Sequence, residues 1–474
     1  MTSPWTLTLD EPLYEQLMAH LFPGDNDEHG AVIAAGVATT DRGTRLLGRE
    51  LFLASDGIDF VPGVRGYRRL TAEFVRTGIQ HCRDQRLAYL AVHNHGGFDH
   101  VGFSGDDDRS HERGYPALLD ISAQPVGALV LARGALAGDI WTPDRQRRQI
   151  KETGVVGRNL RRFYPVPPPR PPAADPTYDR QARWFGDRGQ ELLGRTKVGV
   201  IGAGGVALPL VTMLGRLGVG EHVVIDPDGV EPVNLPRLPD ARRLDAMTWL
   251  HELGLHSLAR RLSTRKVRLA RRAVRRANGK ARFTGLAMNV IEPDAARALL
   301  DCDFIFLAAD SHQARLVFSA ITQQYLIPGI QLGTRIDVDP VSGVVGDIRS
   351  NVRMVTPPHG CLRCNNLISA GRLQDEARDA RERERNRYVD EVPAPSVITF
   401  NTAVAAQAAT DFLLMLGGFI GDTAPIDYLR WRPRERGWEP IGNQPSRASC
   451  ADCGTAVASR RARGDGAELP LPER

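Results

Sequence analysis

No apolar run in the 474 residues reaches the roughly 18 needed to cross a bilayer as a helix. The first ten residues, Met-Thr-Ser-Pro-Trp-Thr-Leu-Thr-Leu-Asp, lack the basic start and apolar centre of a secretory signal. These two absences lead to the expectation of a cytoplasmic chain without a membrane partner. A large excess of one charge is missing too. Lys and Arg number 61 against 56 Asp and Glu, a net charge of +5. No broad nucleic-acid face is therefore expected, and the one dense basic stretch, 260–276, reads as a solvated or phosphate-facing helix. Cysteine is scarce, with six residues, four of them in two Cys-x-x-Cys pairs. In a reducing compartment that pattern favours zinc over disulfides.

What is present suits two or three globular domains. Hydrophobic residues make up 42% and charged residues 25%, ordinary values for a chain with real cores. The stretch from Lys197 to Arg237 organises the rest. Val198 to Ile201 reads as a short buried strand. Gly202, Gly204 and Gly205 follow, a turn whose backbone lets a phosphate approach. A helix over Val206 to Leu217 aims its first amides at that phosphate. A second strand, His222 to Ile225, ends at Asp226, an acceptor for a ribose hydroxyl. Further on lie Asp228, Asn234 and Arg237, then Lys266 at the start of a basic helix. Asp303 to Asp310 reads as a buried strand ending in a carboxylate. Open α/β sheets gather their ligands at such strand ends.

Residues 1–163 read as one α/β domain, with strands at 31–37, 45–54 and 87–95 and a helix at 72–85. The last strand ends His93-Asn94-His95. At a period of two, both imidazoles face one side, a natural pair of zinc ligands. Ser104-Gly-Asp-Asp107 follows, in a setting that suits a helix start and supplies a third, carboxylate ligand. Asp107 is the first choice; Asp106 and Asp108 flank it and offer the same chemistry. Three protein ligands leave a position for water, which marks a catalytic rather than a structural metal. Glu28, just before the first strand, is the candidate general base.

This set resembles the JAMM (Jab/MPN-type) metalloproteases: an upstream Glu, His-x-His, then Ser-x-x-Asp. The resemblance implies that His93, His95 and Asp107 hold zinc, that Glu28 is the base and that Ser104 helps hold the oxyanion. It also implies cleavage of peptide or isopeptide bonds after a ubiquitin-like C-terminus. Gly96 replaces the family's usual Pro, and the spacing to Ser104 is one residue longer than the common form.

A Pro-rich run, 165–172, lies inside an expected linker of 164–176. From about Pro176 to Gly418 a second resemblance takes over. Tyr-x-Arg-Gln, Gly-x-Gly-Gly, Asp-x-Asp-x-Val-x-x-x-Asn-Leu-x-Arg, a Lys at a helix start and Ala-x-Asp-x-x-x-Ala-Arg occur in the order of the ThiF/MoeB/ubiquitin-activating-enzyme family. By that resemblance Asp226 holds ribose, Asp228 and Asn234 belong to the ATP site, and Arg237 and Lys266 neutralise the triphosphate. Asp310 positions Mg2+, and Arg180 reaches the ATP of the partner protomer in a homodimer. Ala207 stands for the last glycine of the family turn, Leu238 for a usually polar residue, and residues 241–262 form a family-variable insertion. Cys361, Cys364, Cys450 and Cys453 read as a structural four-thiolate zinc site, an arrangement shared with zinc-bearing relatives. Residues 365–418 contain no cysteine, so no thioester nucleophile is evident there; Cys82 and Cys302 read as inert.

The expected fold is thus α/β: a JAMM-like α/β domain, 1–163, then a Rossmann-like doubly wound adenylation domain, 177–454, with a disordered tail, 455–474. The resemblances imply ATP-dependent adenylation of the C-terminus of a ubiquitin-like protein, joined to zinc-dependent processing of the same modifier. A bacterial ubiquitin-like conjugation pathway, with phage defence as one setting, would supply the modifier and a conjugating enzyme or sulfur acceptor. The alternative is activation of a sulfur carrier for thiamine, molybdopterin or similar biosynthesis. The acidic and basic residues 374–391 are expected to guide the protein tail.

Overall fold

The computed structural model describes residues 4–61, 68–339, 341–357, 359–378, 395–425 and 427–472. The chain divides into two compact units: 1–170 with 323–326 and 451–468, and 171–322 with 327–450 and 469–474. No helix among the described residues is long and apolar enough to cross a membrane.

The first unit is built on β1 (Trp5–Asp10), β2 (Gly30–Thr40), β3 (Gly43–Leu53), a small ribbon of β4 (Phe60–Val61) and β5 (Arg69–Leu70), then β6 (Ala88–Asn94), β7 (Val126–Leu131), β8 (Leu136–Trp141), β9 (Arg147–Val156) and β10 (Leu160–Phe163). The main sheet runs β1-β3-β2-β6-β7-β8-β9-β10, and β9 also pairs with β1, so seven strands close on themselves. Both faces are buried, and strand alternation sorts the residues. Ala31, Ile33, Leu90 and Val92 pack with Leu13, Leu17 and Leu21 of the helix Glu11–Leu21. Val32, Ala34 and Tyr89 pack with Ile79 of the helix Ala72–Gln85 and with Tyr115 and Leu119 of the helix Gly105–Ser122. Residues 93 and 95 share the parity of Tyr89, which directs both histidines to the side of those two helices.

Residues 455–472 depart from the disordered tail expected of them. Ser459 and Ala462 are buried, the Asp465 amide donates to the Val37 carbonyl at 2.8 Å, and Arg461 pairs with Asp10. Arg49 explains the order. Its buried guanidinium needs acceptors and finds them in the carbonyls of Ala456, Val457 and Arg461. The polar composition that suggested disorder is a set of hydrogen-bonding partners.

The second unit has β11 (Lys197–Ile201), β12 (Glu221–Ile225), β13 (Arg282–Leu286), β14 (Phe304–Leu307), β15 (Gly329–Val338), β16 (Val345–Val355), β17 (Tyr428–Arg432) and β18 (Gly437–Pro440). They are ordered β13-β12-β11-β14-β15-β16-β17-β18. The first five are parallel and the last three antiparallel. Chain order reverses direction between β11 and β14, which opens a crevice at the C-terminal strand ends. The central strands β11 and β14 are apolar and buried apart from Lys197, as strands covered on both faces must be, while the outermost parallel strand β13 is largely exposed. The expected insertion, 241–262, forms two short helices, Thr248–Glu252 and His256–Leu262. Of the tail-guiding segment expected at 374–391, residues 379–391 lie outside the described residues.

Candidate functional site

The front site is assembled by three pieces of local structure. β6 presents His93, which is paired in register with Gly30 of β2 and Val130 of β7. His95 follows, its amide donating to the Leu131 carbonyl at 2.8 Å. The helix Gly105–Ser122 brings Asp107. Ser104 caps that helix, accepting from the Asp107 amide, while the Asp107 carboxylate turns back to accept from the Ser104 amide and hydroxyl, each at 2.7 Å. This reciprocal box needs the acid at the third helical position, which is why Asp107 meets the histidines. Asp106 instead pairs with Arg109, and Asp108 with Arg147.

The distances suit one ion. His93 Nε2 and His95 Nε2 are 3.2 Å apart, and Asp107 oxygens stand 3.6 Å from each. A tetrahedral metal with ligands at about 2.05 Å has edges of about 3.3 Å. The Nδ1–H of His95 donates to the Gly102 carbonyl at 3.1 Å, leaving Nε2 as the lone-pair donor. Burial alone would raise the Asp107 pKa; His93 and the Ser104 hydrogen bonds outweigh it and hold the carboxyl below its ordinary value. Glu28 lies with one oxygen 3.6 Å from His95 Nε2. Burial pushes its carboxyl upward against the pull of the two imidazoles, the direction a proton acceptor needs.

A second grouping is Asp108, His111 and Asp139. Arg147 already donates to both carboxylates, so its positive charge fills the role that a metal would take.

The rear site lies at the end of β11. Gly202 has φ of 98°, and its amide donates to the Ile225 carbonyl at 2.8 Å. A Cβ at Gly202 would sit 3.0 Å from the Ala308 carbonyl oxygen, so only glycine suits the turn. Gly204 faces open space; Gly205 lies under Arg237. Asp226 is buried, with one oxygen accepting from the Ala203 amide at 2.7 Å and the other from the Asp228 amide at 2.8 Å. Burial pushes its carboxyl up, opposed by Lys266. Lys266 is the first residue of the helix Lys266–Ala277, with Nζ 2.7 Å from Asp228 Oδ2. Asn234 is buried, and its side chain accepts from the Glu231 amide at 3.1 Å, which shapes the turn that ends at Arg237. Asp310 is exposed just beyond β14; burial lowers the pKa of Arg315, and the nearby Asp310 charge opposes that. Arg180 is exposed on the first turn of the helix Asp179–Arg195, and no described hydrogen bond or ion pair joins it to this group.

One carboxylate here had no sequence signal. Glu376, on the helix Ala370–Ala377, accepts from the first amides of the helix His312–Gln324, those of His312 and Gln313, at 2.8 Å each. It caps that helix two residues after Asp310.

The four cysteines of the two Cys-x-x-Cys pairs are buried, with all four sulfurs within 4.8 Å of one another. Cys361 and Cys450 are 3.6 Å apart, near the edge of about 3.8 Å that zinc–thiolate bonds of 2.3 Å give a tetrahedron. The donor set fits zinc. Cys82 and Cys302 are buried elsewhere, and burial pushes the Cys82 thiol up to about 12, which makes it a poor nucleophile.

A glycine turn at the switch point of a doubly wound sheet, with an acid at the next strand end, defines the class: an α/β nucleotide fold. Within that class the chain belongs to the ThiF family, whose sequence profile matches residues 178–433. It is 48% identical over 52 residues to the SAMP-activating enzyme E1 of Haloferax volcanii, a match covering 11% of this chain and 19% of that one. The chain thus spans about a fifth of that curated relative. Among solved structures it is similar to E. coli MccB with MccA-N7isoASN, at 17% identity and a TM-score of 0.45, over 59% of this chain and 76% of that one. E. coli MccB with ATP gives 17% identity and 0.44 over 59% and 75%. PaaA gives 18% and 0.41 over 56% and 72%.

Proposed function

We propose that the rear unit adenylates the C-terminal carboxylate of a ubiquitin-like or sulfur-carrier protein with ATP. The observation that carries this reading is the ThiF match over a stretch in which Asp226 accepts from the Ala203 amide of the glycine turn, Gly205 lies against Arg237 and Lys266 pairs with Asp228. A terminal carboxylate oxygen bonds to the α-phosphorus, the bond from that phosphorus to the bridging oxygen breaks, and pyrophosphate leaves. Two anions must approach each other, so fixed positive charge supplies most of the stabilisation. Arg237 and Lys266 provide it, Asp226 holds the ribose, and Asp310 would hold Mg2+, which when bound shields the phosphate charge. Arg180 would serve the ATP of a partner protomer in a homodimer. With no cysteine in residues 365–418, the acyl-adenylate passes to an external acceptor: a conjugating enzyme's thiol or a sulfur donor. The first places the protein in a cytoplasmic bacterial conjugation pathway, with phage defence as one setting. The second places it in sulfur-transfer biosynthesis.

The front unit we read as a JAMM-type zinc peptidase that trims or releases the same modifier. The spacing of His93, His95 and Asp107 supports it. Zinc bound there would supply Lewis acidity and lower the pKa of a water at its open position. Glu28 would take the proton from that water and return it to the leaving amine, and the Ser104 hydroxyl would turn from Asp107 to donate to the developing oxyanion.

ATP–pyrophosphate exchange with a ubiquitin-like protein ending in a free C-terminus tests the rear site. Asp310→Ala should abolish exchange and leave peptidase activity intact. Exchange at the wild-type rate in that variant rejects the assignment.

A further inference from the structure

Asn94 separates His93 from His95 and, by strand alternation, points to the other side of the sheet from both. It is only 9% exposed. Its Oδ1 accepts from the His29 amide at 2.6 Å, and its Nδ2 donates to the Asp27 carbonyl at 3.4 Å. Those two backbone groups bracket Glu28. The β2–β6 ladder ends at the pair Gly30–His93. One residue further on, the Asn94 amide offers the donor and the acceptor that another ladder pair would have offered. The chain carrying Glu28 is therefore pinned after it has left the sheet. Neighbouring ties are a side-chain bond from His29 to Asp25 at 2.9 Å, one from His20 to the Gly30 carbonyl at 2.9 Å, and a backbone hydrogen bond from Arg68 to the Glu28 carboxylate. None spans Glu28 as Asn94 does.

We propose that Asn94 is a positioning residue that sets the Glu28 carboxylate against the site where zinc would bind, so that the His-Asn-His triplet would supply two ligands on one face and the base's anchor on the other. This rests on the reading of Glu28 as general base. Only a side chain that both donates and accepts fits the role. Asp keeps the acceptor but meets the Asp27 carbonyl with a second negative oxygen. Leu keeps the volume and loses both bonds. A misplacement of about 1 Å costs on the order of 100-fold in rate, while a general base contributes about 10²–10⁴-fold. The loss from Asn94→Leu should thus not exceed that from Glu28→Ala.

The test uses the full chain loaded with zinc and a ubiquitin-like protein bearing a C-terminal peptide extension. Asn94→Leu should lower kcat on the order of 100-fold with KM and zinc content unchanged, and Asn94→Asp should fall between it and wild type. In a Glu28→Ala background, Asn94→Leu should cost nothing further. Amide exchange at residue 29 should speed up in Asn94→Leu while the amides of β6 stay protected. If Asn94→Leu does not fold, Asn94→Ser carries the same comparisons. A variant with wild-type kcat, an equal loss in the Glu28→Ala background, or loss of zinc would overturn the proposal while leaving the peptidase reading in place. An inactive wild type would overturn the peptidase reading, and this proposal with it.

Discussion

Gly204 and Gly205 are neighbours in one turn, yet a methyl group has opposite fates at the two. At Gly204 a Cβ would meet nothing within 4 Å. Its φ is not positive, so alanine is unstrained there and should leave stability unchanged or raise it by about 0.4–1 kcal/mol through the unfolded chain. At Gly205 a Cβ would lie 2.7 Å from Asn401 Nδ2, 3.2 Å from the Arg237 carbonyl oxygen and 3.4 Å from Arg237 Cβ. Asn401 is buried and donates to Ser396 Oγ at 2.9 Å, so moving it also loses a hydrogen bond. Gly205→Ala should cost about 1–3 kcal/mol of stability. Nucleotide reverses the interest. On the proposed reading a phosphate would approach through the open space over Gly204, so Gly204→Ala should weaken ATP at least tenfold, about 1.4 kcal/mol, with the fold untouched. Urea unfolding without nucleotide and calorimetric titration with ATP give the two numbers for each variant. Undiminished ATP affinity in Gly204→Ala would remove the phosphate from this turn.

Further outcomes can be stated briefly. Purified protein should carry two zinc ions per chain by elemental analysis; Cys364→Ser should remove one, His95→Ala the other, and each loss should leave the second ion bound. Glu28→Ala should retain both ions and slow cleavage of an extended ubiquitin-like protein by about 10²–10⁴-fold, and full cleavage by it would disqualify Glu28 as the base. His222 is fully buried in β12, and burial lowers its pKa from 6.5 to about 4. Between those values the unfolded chain binds a proton that the folded chain refuses, so stability falls as pH falls from 6.5 toward 4, by about 3 kcal/mol in all. Urea midpoints at pH 7 and pH 4.5 should show that drop, and His222→Phe should lack its share of it.

The elements that frame the rear site were legible because each is local. An apolar run, a glycine turn and a helix-forming run specify β11 and its helix from their own composition, and Lys266 does begin its helix as expected. His93 and His95 were legible for the same reason, since two residues at strand spacing must share a face. The choice among Asp106, Asp107 and Asp108 was not legible, because it depends on which acid folds back onto the Ser104 amide. Glu376 and Asn94 act on backbone 63 to 67 residues away, and neither composition nor period reports such contacts. Nor did anything in the run 455–472 reveal that Arg49, some 410 residues earlier, was waiting for its carbonyls.

The pairing of β9 with β1 has a bearing on solubility at high concentration. A sheet that returns to its own first strand keeps its central strands out of reach of other molecules, and among the described residues β10 is the strand left on the outside of this sheet. That strand has four residues, and two of them are Arg161 and Arg162. Short length and like charge both discourage a neighbouring chain from adding on. This sheet is thereby guarded against the edge-to-edge stacking that starts fibrils.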